Sequence, residues 1–319
     1  MPVTADPALD SLSTEVARLF FDRQMTKVEI AAHLGISRFR VARLVDNAVA
    51  EGIVRIEYRD VPAEDRALAT AMEERFDLDL CVVARGDDGS ATRLAGPVLH
   101  GLIGPDDVVG VAWGSTLAAV VREIPERGRS SIEVVQLAGS STRLDRVRDA
   151  GELARALADR LGAVCHPIYA PTFVPTAALR DALLEQPEVA ETAGRFRSVT
   201  IAIVGIGAIP ADDPRNSGAS SSLLRSGGLD DDAVADLVAA GAVGDLIVHP
   251  FDAAGRFVAP ELAARAVAIG VGDLRAIARV VAVASGSGKA PAIRGALATG
   301  VIDVLVTDAP TARAVMESG

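Results

Sequence analysis

An α/β chain led by a small helical unit is what this sequence predicts, and three observations predict it. From Asp79 onward, short apolar runs alternate with Ala-rich helical stretches, the rhythm of βα units on a parallel sheet covered on both faces. Ahead of them, residues 12–51 hold three amphipathic segments close together. The chain is 319 residues long and half apolar, enough for one sizeable core or two smaller ones.

The first unit is read as helices over 12–23, 26–34 and 37–51, then Ile53–Tyr58, where apolar and polar residues alternate like a short strand. Pro62 interrupts. Residues 63–76 (AEDRALATAMEERF) form a charged helix with Leu68, Ala69, Met72 and Phe76 on one side, suited to a linker or to self-association. Strands are then predicted at 80–84, 107–112, 132–138, 164–169, 199–205, 244–249, 279–284 and 302–307, most of them followed by Gly, Ser, Thr or Asp and a helix. No fixed-period repeat points to a solenoid. The expected division is 1–60, a linker helix over 61–78, and an α/β domain over 79–319.

Composition excludes several classes. Thirty-two basic against 43 acidic residues give a net charge of −11, which speaks against a general polyanion coat, so any nucleic-acid contact must be local. The two cysteines, Cys81 and Cys165, form neither a disulfide framework nor a CxxC metal clip and are expected to be reduced and buried. The start, MPVTADPALD, has no basic or apolar leader pattern, and no apolar run approaches the roughly 18 residues of a membrane span. The expectation is a cytoplasmic protein with no membrane partner. Of the basic residues only Lys27 and Lys289 are lysine.

Residues 26–47 read TKVEIAAHLGISRFRVARLVDN, a helix-turn-helix pattern. Ile30, Ala31 and Leu34 suit the buried side of the first helix, Gly35 its left-handed end, and Ile36 the turn. Ser37 caps the next helix, on which Val41, Leu44, Val45 and Ala48 recur at i, i+3, i+4 and i+7 as a core face. Arg40, Arg43 and Asn47 form the opposite face, with Ser37 and Arg38 at the helix start. Arginine pairs bidentately with guanine O6 and N7, and a helix N-terminus holds phosphate, so this face suits a major groove. Thr26 and Lys27 are expected phosphate contacts. Phe39, large and apolar among them, can touch a thymine methyl or pack on the wing. An ordinary hairpin with a solvated Arg face is the alternative.

In the larger domain four loops of glycine and hydroxyl residues follow predicted strands: Trp113–Leu117, Ala138–Thr142, Gly205–Gly207 and Ser285–Lys289. Small residues at a helix start expose backbone N–H groups at a positive helix end, which is what a phosphate or carboxylate needs. Strand ends of a parallel sheet meet along one edge, where open α/β folds bind ligands. Lys289 would add a compact charge for an anion.

Ser285–Ala290 is not a Walker loop, since residue 283 is Val and residue 290 is Ala. Residues 205–210 (GIGAIP) fail the last glycine of a dinucleotide fingerprint, and no GxSxG elbow occurs. His33, His100, His166 and His249 are scattered and read as structural, so no metal site and no catalytic set is expected. Asp245 and Asp252 flank a strand and suit sugar hydroxyls or caps, and Asp308 reads as a helix cap.

With those residues in view the chain resembles the SorC family of bacterial sugar-responsive transcription regulators over nearly its whole length. The matching stretches are 36–54, 110–120, 203–209, 241–255 and 280–312, the last (VVAVASGSGKAPAIRGALATGVIDVLVTDAPTA) the most specific. The resemblance implies a helix-turn-helix domain ahead of a Rossmann-like, mostly parallel α/β effector domain similar to sugar-phosphate isomerases. It also implies operator DNA as partner, a phosphorylated sugar as effector with no cofactor, and self-assembly as a dimer or tetramer. Carried onto matching positions, the phosphate would meet Gly114, Ser115, Thr116 and Lys289, with Gly139 and Ser140 in the second loop and Gly205, Gly207 and Gly286 in the others. Asp245 and Asp252 would face sugar hydroxyls. The hydroxyls of the second loop stand where some relatives place a basic residue, which implies an effector with one phosphate or none.

Two other readings stay open at the level of sequence. An isomerase- or deaminase-like enzyme needs a positioned general base, for which Asp245 and Asp252 are the candidates. A sugar-sensing partner protein that does not touch DNA would lose nothing when the Arg face is removed.

Overall fold

The computed structural model describes residues 7–23, 25–54, 62–141, 149–212, 214, 221–226 and 228–317. The chain divides into two compact units, Met1–Asp60 and Val61–Gly319.

In the first unit α1 (Pro7–Ala17) runs into a wider π turn (Arg18–Asp22), followed by α2 (Lys27–Leu34) and α3 (Arg38–Ala50). Thr26 starts α2 with a capping box: its hydroxyl accepts the Glu29 N–H while the Glu29 carboxylate accepts the Thr26 N–H. Gly35, at φ 66°, ends it in the left-handed conformation that costs glycine nothing. Ser37 then caps α3 through the Arg40 N–H at 3.2 Å. Val41, Leu44 and Val45 close over Ile30, Val16 and Leu19 as one apolar cluster, with Ile36 packed against it. The predicted strand over Ile53–Tyr58 falls mostly outside the described residues.

The larger unit is built on β1 (Leu80–Ala84), β2 (Val108–Val111), β3 (Glu133–Gln136), β4 (Val164–His166), β5 (Ile201–Ala208), β6 (Ala242–Leu246), β7 (His249–Asp252), β8 (Arg279–Val283) and β9 (Val304–Asp308). Seven of these pair in the order β1-β9-β8-β5-β2-β3-β4, all parallel. Their near-continuous Val, Ile, Leu and Ala runs are what a sheet buried on both faces requires. Connections are helical: α4 (Arg66–Phe76) precedes β1, α5 (Asp88–Leu102) leads to β2, α6 (Ser115–Glu123) to β3 and α7 (Ala150–Leu161) to β4. Between β4 and β5 lie α8 (Ala177–Leu184) and α9 (Pro187–Gly194); α10 (Ser222–Arg225) and α11 (Asp231–Ala239) precede β6. The short α12 (Pro260–Ala263) and α13 (Val271–Ala276) lead to β8, α14 (Ala290–Ala298) to β9, and α15 (Ala309–Glu317) follows.

Two expectations change here. The apolar run 244–249 is not one strand but the turn of a hairpin: Ile247 takes φ 63°, and β6 and β7 pair antiparallel on either side of it. β6 in turn pairs antiparallel with the last residues of β5, Ile206–Ala208, so the hairpin folds over the carboxyl end of the central strand. The helix read as a linker belongs to the larger unit. Ala69 and Met72 of α4 are buried in the main core, and Glu73 accepts the backbone N–H of Cys81 in β1 at 2.7 Å. Cys81 is buried and free, whereas Cys165 is free but half-buried.

Phe251 locks the hairpin to α14. Its ring fills a slot that exists because residues 244 and 295 are glycine: a Cβ on either would stand 2.7 Å and 3.0 Å from ring carbons. Phe251→Ala would empty that slot, and urea unfolding of the full chain is expected to show a loss of about 3–5 kcal/mol.

Candidate functional site

The strand order places a topological switch point between β2 and β5: the chain leaves β2 toward β3 on one side and β5 toward β8 on the other. The crevice outside such strand ends is where open α/β sheets bind ligands. A cleft lies there, lined after β2 by Ala112–Leu117, from β5 by Gly205–Gly207, and by Ser221, Ser222, Arg225, Asp245, Ile247 and Lys289.

Gly114 opens α6 at φ 125° with no side-chain cap, so the first N–H groups of the helix face the cleft unclaimed by a capping residue. Lys289, at the start of α14, donates to the Ile206 carbonyl at 3.3 Å. Arg225 adds a second cation from the end of α10. Two cations and a positive helix end around one cleft form an anion site.

Asp245 stands opposite Gly207 in the β5–β6 ladder. A Cβ at 207 would come within 2.1 Å of its Oδ1 and 2.4 Å of the Ser221 hydroxyl, so only glycine leaves room for this carboxyl. Burial pushes the Asp245 pKa up to about 7, although a hydrogen bond with Ser221 and the charges of Lys289 and Arg225 act to lower it. Among the described residues Oδ1 has no hydrogen-bond partner. A buried carboxyl oxygen left unmatched in a cleft is an offer to a hydroxyl of a ligand.

Of the sequence-selected residues, Gly114, Ser115, Thr116, Gly205, Gly207, Asp245 and Lys289 meet at this cleft; Gly139, Ser140, Asp252 and Gly286 do not line it. The second loop is spent on its own packing. Gly139 N–H donates to Val267, Ser140 N–H to Ala170, and the Ser140 hydroxyl to Asp149 at 2.9 Å. Gly139 is glycine because a Cβ would meet the Ala170 carbonyl at 2.6 Å. Gly286 gives its N–H to Thr311 Oγ1 at 2.8 Å.

Asp252 is a turn-forming residue. Its Oδ1 accepts the N–H groups of Ala254 and Arg256, and Oδ2 binds the Arg256 guanidinium, contacts that hold its carboxyl below the usual range. Asp308 caps α15 by accepting the Thr311 N–H at 2.8 Å. Sequence reasoning missed Arg225, Ser221 and Ser222. Their only signal was a serine run ending in Arg, which no strand-end pattern marks.

In the first unit Arg38, Arg40 and Arg43 are exposed on α3 and Asn47 is half-buried. The Ser37 oxygen is taken by its cap, and its proton stays available. The Thr26 hydroxyl accepts from the Glu29 backbone and donates to the Glu29 carboxylate at 2.8 Å. Lys27 lies over the Phe20 ring, 5.7 Å from its centre.

Fold and cleft together define a protein with a helix-turn-helix unit and a Rossmann-like, mostly parallel α/β domain whose cleft at the switch point is lined by two cations and a buried carboxyl. Residues 61–317 match the Sugar-bind family of sugar-binding domains. The erythritol catabolism regulatory protein EryD of Brucella abortus is 29% identical over 96% of both chains, and the deoxyribonucleoside regulator of Bacillus subtilis 27% identical over 98% and 99%. The crystal structure of the full-length sorbitol operon regulator SorC from Klebsiella pneumoniae superposes with a TM-score of 0.72 at 25% identity, covering 98% of this chain and all of that one. The chain belongs to the SorC family of sugar-binding transcriptional regulators, and its function class is that of a sugar-responsive regulator of transcription. Among the described residues no helix is long and apolar enough to cross a membrane.

The buried carboxyl has a consequence for stability. Because its pKa is raised, the folded state keeps a proton on Asp245 that the unfolded chain has already lost between the ordinary value, 3.8, and about 7. Its contribution is complete at acid pH and is lost as pH rises through about 7. Urea unfolding from about pH 5 to about pH 8 is expected to show the wild type losing stability relative to Asp245→Asn. A constant difference would mean that the group is ionised throughout.

Proposed function

We propose that this protein binds operator DNA through α3 and that a small sugar carrying one phosphate, held in the β2–β5 cleft, shifts it between operator-competent and incompetent states. One observation carries the reading: Lys289, Arg225 and the uncapped start of α6 surround the same cleft as the unmatched Asp245 oxygen. Cations with a helix end suit a phosphate, and a carboxyl suits sugar hydroxyls. The second loop supports a ligand with a single anionic group, since the N–H groups of Gly139, Ser140 and Ser141 and the hydroxyls of both serines are already bonded within the protein.

The names of the relatives, regulators of erythritol catabolism, of the sorbitol operon and of deoxyribonucleosides, support a carbohydrate catabolic operon as target. In this reading the protein is a cytoplasmic homo-oligomer that uses no cofactor and catalyses nothing.

Selection of sheared genomic DNA on the purified protein at fixed salt, with and without a panel of sugar phosphates, tests the whole proposal. A few sharp sites that respond to one member of the panel are expected. No enrichment in either condition would transfer the cleft to an enzyme, to be assayed on the same sugars. With the selected operator, Arg43→Ala is expected to weaken binding by about 1–3 kcal/mol, the worth of a bidentate guanine contact. Lys289→Ala should leave operator affinity unchanged and abolish the response to the sugar phosphate; a response at the unaltered concentration would place the phosphate elsewhere.

A further inference from the structure

The recognition helix carries, in its first turn, a side chain that neither its core nor its cationic face accounts for. Phe39 is 73% exposed, the highest value for a large apolar side chain among the described residues. Among the described residues of its own unit, the apolar cluster does not include it. A lone apolar side chain needs no explanation on an ordinary surface, but this one occupies the first turn of α3, and the first turn of a recognition helix is the part that reaches base edges.

Its direction is as informative as its exposure. With each residue advancing about 100° around the axis, Phe39 points roughly 170° away from the mean direction of Val41, Leu44, Val45 and Ala48. Arg43, one turn further, points roughly 150° away, while Arg40 and Asn47 lie toward the flank at roughly 90–110°. The outermost ridge of α3 therefore begins with Phe39 and Arg43. The Arg38 guanidinium stacks on the Phe39 ring 4.9 Å from its centre, so one face of the ring is held by a cation.

We propose that Phe39 reads a thymine through its C5-methyl group in the major groove, next to a guanine read by Arg43. The inference rests on the DNA-binding reading above. The thymine methyl is the apolar feature that the major-groove edges of the bases present, and it is the natural partner of an apolar side chain there. Spacing makes the proposal specific. Four residues of helix advance about 6 Å, and base pairs step about 3.4 Å, which sets the thymine about two base pairs from the guanine.

The test uses the full chain and an operator obtained by selection from random-sequence DNA. Each thymine of the selected site is replaced singly by deoxyuridine, which removes the methyl and nothing else, and binding is measured for the wild type and for Phe39→Ala at fixed salt. One thymine, about two base pairs from the guanine whose loss Arg43→Ala no longer feels, is expected to lose roughly fourfold in wild-type affinity on demethylation, the worth of one buried methyl. The same change should leave Phe39→Ala unaffected. Thermal unfolding of Phe39→Ala should match the wild type, as befits an exposed side chain. If every uridine operator weakens both proteins equally, or none weakens the wild type, the methyl contact is overturned while DNA binding stands. If selection enriches no sequence at all, the DNA-binding reading falls and takes this one with it.

Discussion

The cleft depends on a carboxyl that can exist only opposite a residue with no side chain. Asp245 and Gly207 face each other across the antiparallel turn that β6 makes on the end of β5, and a single methyl at 207 would stand 2.1 Å from the Asp245 oxygen. Everything distinctive about the site follows from that placement. The carboxyl is buried, so it holds its proton to about pH 7. It is flanked by Lys289 and Arg225, which would keep it ionised in a more open setting. Desolvation prevails because hairpin and strand close over the group. The result is a group balanced between two protonation states in a cleft that two cations also line.

The sheet explains why this happens at β5 and nowhere else along the edge. The switch point gives β5 neighbours whose connections leave in opposite directions, so a crevice opens beyond its carboxyl end. A strand in a fully parallel sheet would stop there. β5 instead runs on through Ile206–Ala208 to pair with β6, and the β6–β7 hairpin roofs one side of the crevice. Phe251, buried between Gly244 and Gly295, fixes that roof to α14, the helix whose first turn carries Lys289. Carboxyl and cation are thus placed by the same packed element.

How much of this could be read from the sequence depended on whether the signal was local. Strand positions, the helix-turn-helix core and the loop at Gly114 were legible because apolar period, capping residues and glycine act within a few positions of themselves. The hairpin was not, since Gly244–His249 is as apolar as a strand and only the left-handed Ile247 reveals the turn. The Gly139–Ser140 loop resembled an anion loop by composition, but its N–H groups are claimed by Ala170 and Val267, partners remote in sequence. Asp252 misled for the opposite reason: a carboxylate at the end of a hairpin strand looks free until Arg256 folds back onto it. Arg225 was invisible because it reaches the cleft from a four-residue helix that no periodicity marks.

The charge distribution bears on how such a protein could find one DNA sequence among many. Residues 1–60 contain eight basic and nine acidic residues, so the helix-turn-helix unit is close to neutral and nearly all of the chain's net charge of −11 lies in the larger unit. Phosphate attraction supplies most non-specific affinity, and a neutral unit tied to an acidic one has little of it. Three of its eight cations, Arg38, Arg40 and Arg43, stand on one short stretch with no acidic residue between them. In the proposed reading, affinity draws disproportionately on base edges, where a guanidinium and a phenyl ring discriminate between bases and a diffuse positive surface does not. Weak general attraction also leaves less binding energy for an effector to overcome when it releases the operator, because the ligand can shift the equilibrium only by its own difference in affinity for the two states.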